Sequence, residues 1–140
     1  MKTRKLWLVI PTVLATMVAM TGVVRSQTVQ VSPGSKPDPQ VINGTSGGTT
    51  SSDCGNISSA PNQVIKVTEA MPYLRVDVKS AGSPTLLIDG PTGRFCVLGD
   101  GSGKGPQMAG FWAAGSYSVN VGDRNQGRNP YTLTISQSQK

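Results

Sequence analysis

The chain alternates hydrophobic and polar residues in short segments that are separated by glycine, proline, asparagine and aspartate. In the clearest segment, residues 73–79, Leu74, Val76 and Val78 share one face and charged residues share the other. A period of two residues is typical of a β-strand with one buried face. The same pattern predicts strands at residues 63–69, 73–79, 85–88, 94–98, 107–112, 116–121 and 131–135. No window carries a helical repeat of useful length, so the chain is predicted to be all-β.

These segments also predict the domain organisation. Short strands at regular spacing are typical of a single antiparallel β-sandwich, here with about seven to eight strands. The sandwich is predicted at residues 63–140, where nearly all of the alternating segments lie. Residues 27–62 instead combine proline-rich sequence at 31–39 with Gly, Ser and Thr at 43–52. Such sequence buries little apolar surface, so it is predicted to be a flexible linker or a loosely packed arm.

The N-terminal residues 1–26 have the features of an export signal. Basic residues among the first five precede an apolar stretch at 6–20, which is shorter than the ~20 residues that a membrane-spanning helix needs. We therefore predict a signal peptide that is cleaved after Ser26. The alternative is an uncleaved anchor whose apolar run extends to Val24. Contact with a membrane is expected only during export, and the mature protein is expected to be periplasmic or secreted.

Most of the positive charge lies in the predicted signal peptide. The 140 residues carry 13 Lys and Arg against 7 Asp and Glu, a net charge of +6. Residues 1–26 hold four of the basic residues and no acidic residue, so cleavage leaves a net charge of +2. The remaining basic residues are scattered singly, without the basic run that typically follows a phosphate backbone. A nucleic-acid partner is therefore not expected.

Two cysteines, Cys54 and Cys96, remain in the predicted mature chain. An even number of cysteines in an exported protein predicts a disulfide bond, because compartments outside the cytoplasm are oxidising. Closing a loop of about 43 residues stabilises a fold by roughly 4 kcal/mol in the chain-entropy model. Two free thiols, or a bond between two chains, are the alternatives.

The residue types that many enzymes need are missing. The chain has no His, which excludes a Ser-His-Asp triad, a Cys-His pair and a His-ligated zinc site. The Gly-rich loop at 99–105 contains a lysine but lacks the spacing of a phosphate-binding loop. No catalytic or cofactor-binding residue is assigned, and the protein is predicted not to be an enzyme.

Three aspartates are candidates for a Ca²⁺ site. Asp89, Asp100 and Asp123 each lie in a Gly-rich turn, and Ca²⁺ prefers carboxylate and carbonyl oxygens. Their spacing does not match an EF-hand. Aspartate also favours turns for its own local hydrogen bonding, which is the alternative interpretation.

Two adjacent aromatic residues are candidates for a surface contact. Strand alternation places one of Phe111 and Trp112 inside the sandwich and the other outside. An exposed Trp stacks on sugars or fills a partner's pocket, so Trp112 is a possible ligand contact. The alternative for Trp112 is packing in the core or beneath a loop.

Four stretches resemble the bacterial pre-peptidase C-terminal domain. They are Leu74-Arg-Val-Asp-Val78, Pro84-Thr-Leu-Leu-Ile-Asp-Gly-Pro-Thr-Gly93, Ala114-Gly-Ser-Tyr-Ser-Val-Asn-Val-Gly122 and Pro130-Tyr-Thr-Leu-Thr-Ile135. Their order and spacing are similar to those of the family. The resemblance implies a jelly-roll-like β-sandwich of two antiparallel sheets, here in a stand-alone version with no peptidase attached. It also implies an accessory role in secretion, localisation or substrate binding, without catalysis.

Together these features predict a non-catalytic exported module that binds a polysaccharide, a cell-wall polymer or another exported protein. Loops such as 99–110 are expected to carry recognition, because binding residues concentrate on loops that a rigid scaffold positions. The alternative is a structural or secretion-assisting component of the cell envelope that has no glycan ligand.

Overall fold

The computed structural model describes residues 27–100 and 103–139, so the predicted signal peptide lies outside the described residues. Eleven strands form within the described ranges. In chain order they are β1 (Gln27–Val31), β2 (Gln40–Thr45), β3 (Thr50–Ser52), β4 (Gly55–Ile57), β5 (Gln63–Val67), β6 (Met71–Ser80), β7 (Pro84–Gly90), β8 (Gly93–Leu98), β9 (Gln107–Trp112), β10 (Gly115–Asp123) and β11 (Pro130–Ser136). In this part of the chain no helix is long and apolar enough to span a membrane.

The strands form two sheets. In the first sheet β10 is central: β7 pairs antiparallel with one of its edges, while β5 and β4 pair antiparallel with the other. β8 extends this sheet beyond β7, β3 pairs with β4, and β1 lies parallel to β5. The second sheet has the order β2-β11-β6-β9 and is antiparallel throughout. The predicted all-β sandwich is therefore confirmed.

The core lies between the inner faces of the two sheets. On β6 the side chains of Leu74, Val76 and Val78 are buried, while the residues between them are partly exposed. They belong to the same buried cluster as Val119 and Val121 of β10, which come from the other sheet. Because successive side chains of a strand point to opposite faces, this arrangement follows from the sequence pattern. The predicted strands correspond one by one to β5–β11.

Residues 27–62 differ from the predicted flexible linker. They contain β1, β2, β3 and β4, and these strands pair within both sheets. Val31 is 2% exposed, and Val29 and Ile42 pack against the core. The composition was misleading because it reports only the apolar surface available for burial, whereas these strands also gain stability by pairing their backbone with formed strands. The sandwich therefore begins at β1. We call residues 46–62 the arm.

A disulfide bond and an ion pair attach the arm to β8. Cys54 and Cys96 are bonded with their Cα atoms 5.7 Å apart, which confirms the predicted bridge. Thr85 Oγ1 also donates a 2.6 Å hydrogen bond to the Cys54 carbonyl. Beside the bridge, the Arg94 guanidinium donates to both carboxylate oxygens of Asp53, at 2.6 and 3.0 Å. These hydrogen bonds hold the pKa of Asp53 below its usual value.

Candidate functional site

Several loops meet at one end of the sandwich, which we call the loop end. The register shows this: Asp123 at the end of β10 pairs with Pro84 at the start of β7. The turn at 81–83 therefore lies beside the loop at 124–129. Residues 99–100 and 103–106, between β8 and β9, lie at the same end because β8 runs antiparallel to β7. The loop end contains the two clefts described below.

Asp123 supports the loop end from inside. Its side chain is buried, and its Oδ2 accepts hydrogen bonds from Ser83 N at 3.3 Å and Asn129 Nδ2 at 3.1 Å. Its Oδ1 accepts a hydrogen bond from Asn125 N at 2.8 Å. Hydrogen bonds to an ionised carboxylate are stronger than those between neutral groups. One side chain thus joins the 81–83 turn to the 124–129 loop.

The three aspartates predicted as Ca²⁺ candidates do not all lie at one place. Asp123 lies opposite Pro84 at the start of β7, whereas Asp89 lies near the end of β7, roughly 16 Å further along the strand. Asp100 follows β8 at the loop end and is exposed. The described residues contain no group of three His, Cys, Asp or Glu side chains that would hold a metal ion. The geometry therefore gives the Ca²⁺ hypothesis no support.

A cleft of about 290 Å³ opens at the loop end, and we call it the basic cleft. Its charged lining residues are Lys104 and Arg124, and the rest of its lining is Ser, Gly and Pro. Arg124 is held by two contacts. Its backbone N–H donates to Ser83 O at 3.0 Å, and its Nη2 donates to Gly99 O at 3.2 Å. The guanidinium is therefore fixed against the wall of the cleft.

A larger cleft of about 600 Å³, the amide cleft, lies at the same end. Most of its lining residues carry amide or hydroxyl groups or have small side chains. They are Gln27, Asn43, Gly44, Thr45, Thr49, Ser58, Ser59, Ala60, Pro61, Asn62, Gln63, Arg128 and Tyr131. Among these lining residues only Arg128 is charged. The 124–129 loop thus contributes Arg124 to the basic cleft and Arg128 to the amide cleft.

Tyr131 and two amide side chains form a hydrogen-bonded group in the amide cleft. Burial raises the pKa of Tyr131, and hydrogen bonds between its hydroxyl and the side chains of Gln63 and Asn62 oppose this rise. The Tyr131 ring lies against Gly44 of β2. This contact is possible because glycine has no Cβ, which would collide with the Tyr131 hydroxyl. Asn62 is fixed in turn, because its Oδ1 accepts a hydrogen bond from Val121 N at 2.9 Å. The amides are therefore held in place by the fold.

Gln63 has a polar atom without a partner. Its side chain is 4% exposed, and no described residue donates a hydrogen bond to its buried Oε1. A buried acceptor without a donor costs about 1–3 kcal/mol. Gln63 is also one of the residues that line the amide cleft. This combination makes Gln63 the strongest candidate for a ligand-binding residue in the amide cleft.

The aromatic pair on β9 is arranged as alternation requires, with Trp112 inside. Trp112 is 2% exposed and lies in the core, where its ring centroid is 4.7 Å from that of Tyr117. Phe111 is 69% exposed. The expectation of Trp112 as a ligand contact is therefore corrected, because its ring is covered by the core, and the solvent-facing aromatic of β9 is Phe111.

Gln63, Asn62 and Arg128 were not singled out from the sequence. A signal for Gln63 was present, because alternation puts it on the same face as Ile65, at a core-facing position where a polar residue is unusual. Asn62 and Arg128 carried no local signal. They line the same cleft only because the arm and the β10–β11 loop meet in the folded protein.

A relative found by sequence comparison identifies the family of this chain. No family model matches the chain. The uncharacterized protein Synpcc7942_2126 of Synechococcus elongatus is 46% identical over 99 residues, which cover 68% of this chain and 73% of that protein. The chain belongs to the same family as this protein.

The fold of this chain is that of a pre-peptidase C-terminal domain. The crystal structure of the pre-peptidase C-terminal domain of a collagenase from Bacillus anthracis matches it with a TM-score of 0.53. The match covers 80% of this chain and 97% of the collagenase domain, at 13% identity. The resemblance found in the sequence is therefore confirmed for the fold. Sequence identity this low transfers no residue roles.

Proposed function

We propose that this family member is a non-catalytic, exported β-sandwich module that binds a polysaccharide or a cell-wall polymer through its loop end. The fold supports the absence of catalysis, because pre-peptidase C-terminal domains are accessory domains. The bond between Cys54 and Cys96 supports export, because structural disulfides persist mainly in oxidising compartments.

The unpartnered acceptor of Gln63 in the amide cleft carries the proposal. A ligand hydroxyl that donates to Oε1 would remove the cost of about 1–3 kcal/mol that the free protein bears. Amides and hydroxyls each offer donors and acceptors, which match the mixed donors and acceptors of a sugar. Because Asn62 and Tyr131 are already hydrogen-bonded within the fold, little ordering would accompany binding.

The size and position of the cleft also favour such a ligand. Its volume of about 600 Å³ lies within the range of small-ligand sites, which is roughly 300–1,000 Å³. The basic cleft lies at the same end of the sandwich, and both are bordered by the 124–129 loop. A chain of sugars is able to occupy one cleft and extend toward the other.

The test is a binding screen of the purified protein against soluble glycans and cell-wall polymers, followed by titration calorimetry. Gln63→Met keeps the length of the side chain but removes its amide. We expect it to weaken binding at least about tenfold, or about 1.4 kcal/mol. Its free energy of unfolding should change little, because the unpartnered acceptor and the hydrogen bond to the Tyr131 hydroxyl are lost together. Gln30→Met, at an exposed position of β1, is the matched control and should bind like the wild type.

The screen separates this proposal from its alternative. If no polymer binds the wild type, the proposal is wrong and a structural or secretion-assisting role becomes the better hypothesis. If Gln63→Met binds as tightly as the wild type, the ligand does not use the amide cleft. Running the screen with Ca²⁺ and with a chelator also tests the loop-end carboxylates Asp100 and Asp123 directly.

A further inference from the structure

We infer that the polymer bound at the loop end is acidic, with carboxylate or sulfate groups that contact Arg128. This inference rests on the proposed function, because it names the chemical class of the ligand for the same site. Carboxylated and sulfated polysaccharides share the relevant chemistry, which is an oxyanion surrounded by hydroxyl groups.

Arg128 is the charged residue of the amide cleft lining. No acidic residue in the described part of the chain forms an ion pair with it, whereas Arg94 is paired with Asp53. Its side chain is exposed and lines the amide cleft. A guanidinium presents five N–H donors in a planar fork, which fits an oxyanion with two parallel hydrogen bonds.

The rest of the amide cleft is uncharged. Its other lining residues are amides, hydroxyl-bearing residues and small side chains, together with Tyr131. The amides of Asn62 and Gln63 would suffice for a neutral sugar. A guanidinium adds attraction and specificity chiefly when the ligand carries the opposite charge. An oxyanion that enters the cleft meets Arg128 and no carboxylate in the lining.

The positive charge continues into the basic cleft. Arg124 precedes Arg128 by four residues, so their Cα atoms are at most about 14 Å apart. The Gly99 carbonyl engages one N–H of the Arg124 guanidinium and fixes its position. Successive acidic units of a polymer are therefore able to approach both arginines.

The carboxylates of the loop end offset this charge only in part. Asp123 is buried and accepts three hydrogen bonds from the loops. Asp77 forms an ion pair with Arg75, with 3.7 Å between Asp77 Oδ1 and Arg75 Nε. Asp100 is exposed in the same loop as Lys104, so it reduces the positive potential of the basic cleft. The amide cleft is therefore the stronger of the two anion contacts.

The test compares charged and neutral forms of the same polymer by titration calorimetry. The pairs are polygalacturonate with its fully methyl-esterified form, and dextran sulfate with dextran. We expect one acidic form to bind at least about tenfold tighter than its neutral counterpart in about 50 mM NaCl. The advantage should shrink in about 500 mM NaCl, because salt screens exposed charges.

Two variants separate a local contact from bulk charge. Arg128→Gln should remove most of the preference for the acidic form. Arg94→Gln removes the same charge near the start of β8, outside both clefts, and should keep the preference. Equal losses in the two variants would overturn the inference, because net charge would then explain the preference.

The outcomes also separate this inference from the proposed function. Equal affinity for the charged and neutral forms would overturn the acidic ligand and leave polysaccharide binding intact. If neither form of either polymer binds while another neutral glycan of the screen does, the inference is again wrong and the proposed function stands. If no glycan binds at all, both are wrong.

Discussion

Removing the bond between Cys54 and Cys96 should lower the free energy of unfolding by about 4 kcal/mol. The two cysteines are 42 residues apart, and the segment between them contains β4, β5, β6 and β7. In the chain-entropy model a closed loop of about 43 residues restricts the unfolded chain, and its loss makes unfolding more favourable by that amount. The bond therefore stabilises the fold by restricting the unfolded form of the segment that contains these strands.

The folded state should survive without the bond, because other contacts hold the arm. Thr85 Oγ1 donates to the Cys54 carbonyl at 2.6 Å, and Asn120 Nδ2 donates to the carbonyls of Ser58 and Ala60 at 3.4 and 3.3 Å. Removal of the bond should thus act mainly by giving the unfolded chain more conformational freedom. Small domains have about 5–15 kcal/mol of stability. A loss of about 4 kcal/mol should lower Tm by roughly 15–20 °C for a domain of this size.

The assay is urea unfolding followed by circular dichroism, with Cys54→Ser/Cys96→Ser compared with the wild type. The Cys54 Sγ lies 3.8 Å from the Leu86 carbonyl, so a serine hydroxyl at this buried position has an acceptor nearby. Arg94→Gln removes only the exposed ion pair at the same junction and should shift the midpoint far less. A loss below about 1 kcal/mol with an unchanged m-value would refute the reasoning.

Three further predictions test the packing and the titration of the fold. Gly105→Ala should cost more than about 2 kcal/mol in urea unfolding, because its Cβ would collide with the Val78 carbonyl. Gly99→Ala, with only ordinary contacts, should change stability by less than about 0.5 kcal/mol, and equal effects would contradict this geometry. Trp112→Ala should cost about 3–5 kcal/mol in thermal unfolding because its ring fills the core, and a surface-like loss below about 1 kcal/mol would contradict its burial. Burial raises the folded-state pKa of Tyr131 above its usual value near 10, so its contribution is fully present below about pH 10 and is lost as the pH rises through the folded-state pKa. Tyr131→Phe should therefore flatten the alkaline decline of Tm, and an unchanged slope would count against the shift.

The strands β5–β11 were predictable because their signal is local. A strand with one buried face alternates along its own sequence, and in β6 the positions of Leu74, Val76 and Val78 are enough to identify the inward face. The disulfide was also predictable, because it was inferred from the number of cysteines. That number is read from the sequence without knowledge of the fold. The predicted signal peptide stays a prediction, since it lies outside the described residues.

The four strands of residues 27–62 were not predictable from composition. Val31 and Ile42 are among the few apolar residues of this segment that pack inward. Its strands exist because β5, β10 and β11 offer unpaired backbone groups to them. The stabilising partner of each such strand lies far away in sequence, so no window of the chain contains the signal.

The sequence by itself determined the β-sandwich class, the inward faces of its main strands and the exclusion of histidine-dependent chemistry. Each of these depends on residue type and local order alone. Only the tertiary structure decided that Gln63, Asn62 and Arg128 line one cleft, that Trp112 is buried, and that Asp89 lies far from Asp123. The physical reason is that a binding site is made of residues from separate strands and loops. Their distances are set by strand pairing and register, which the order of residues within one segment does not encode.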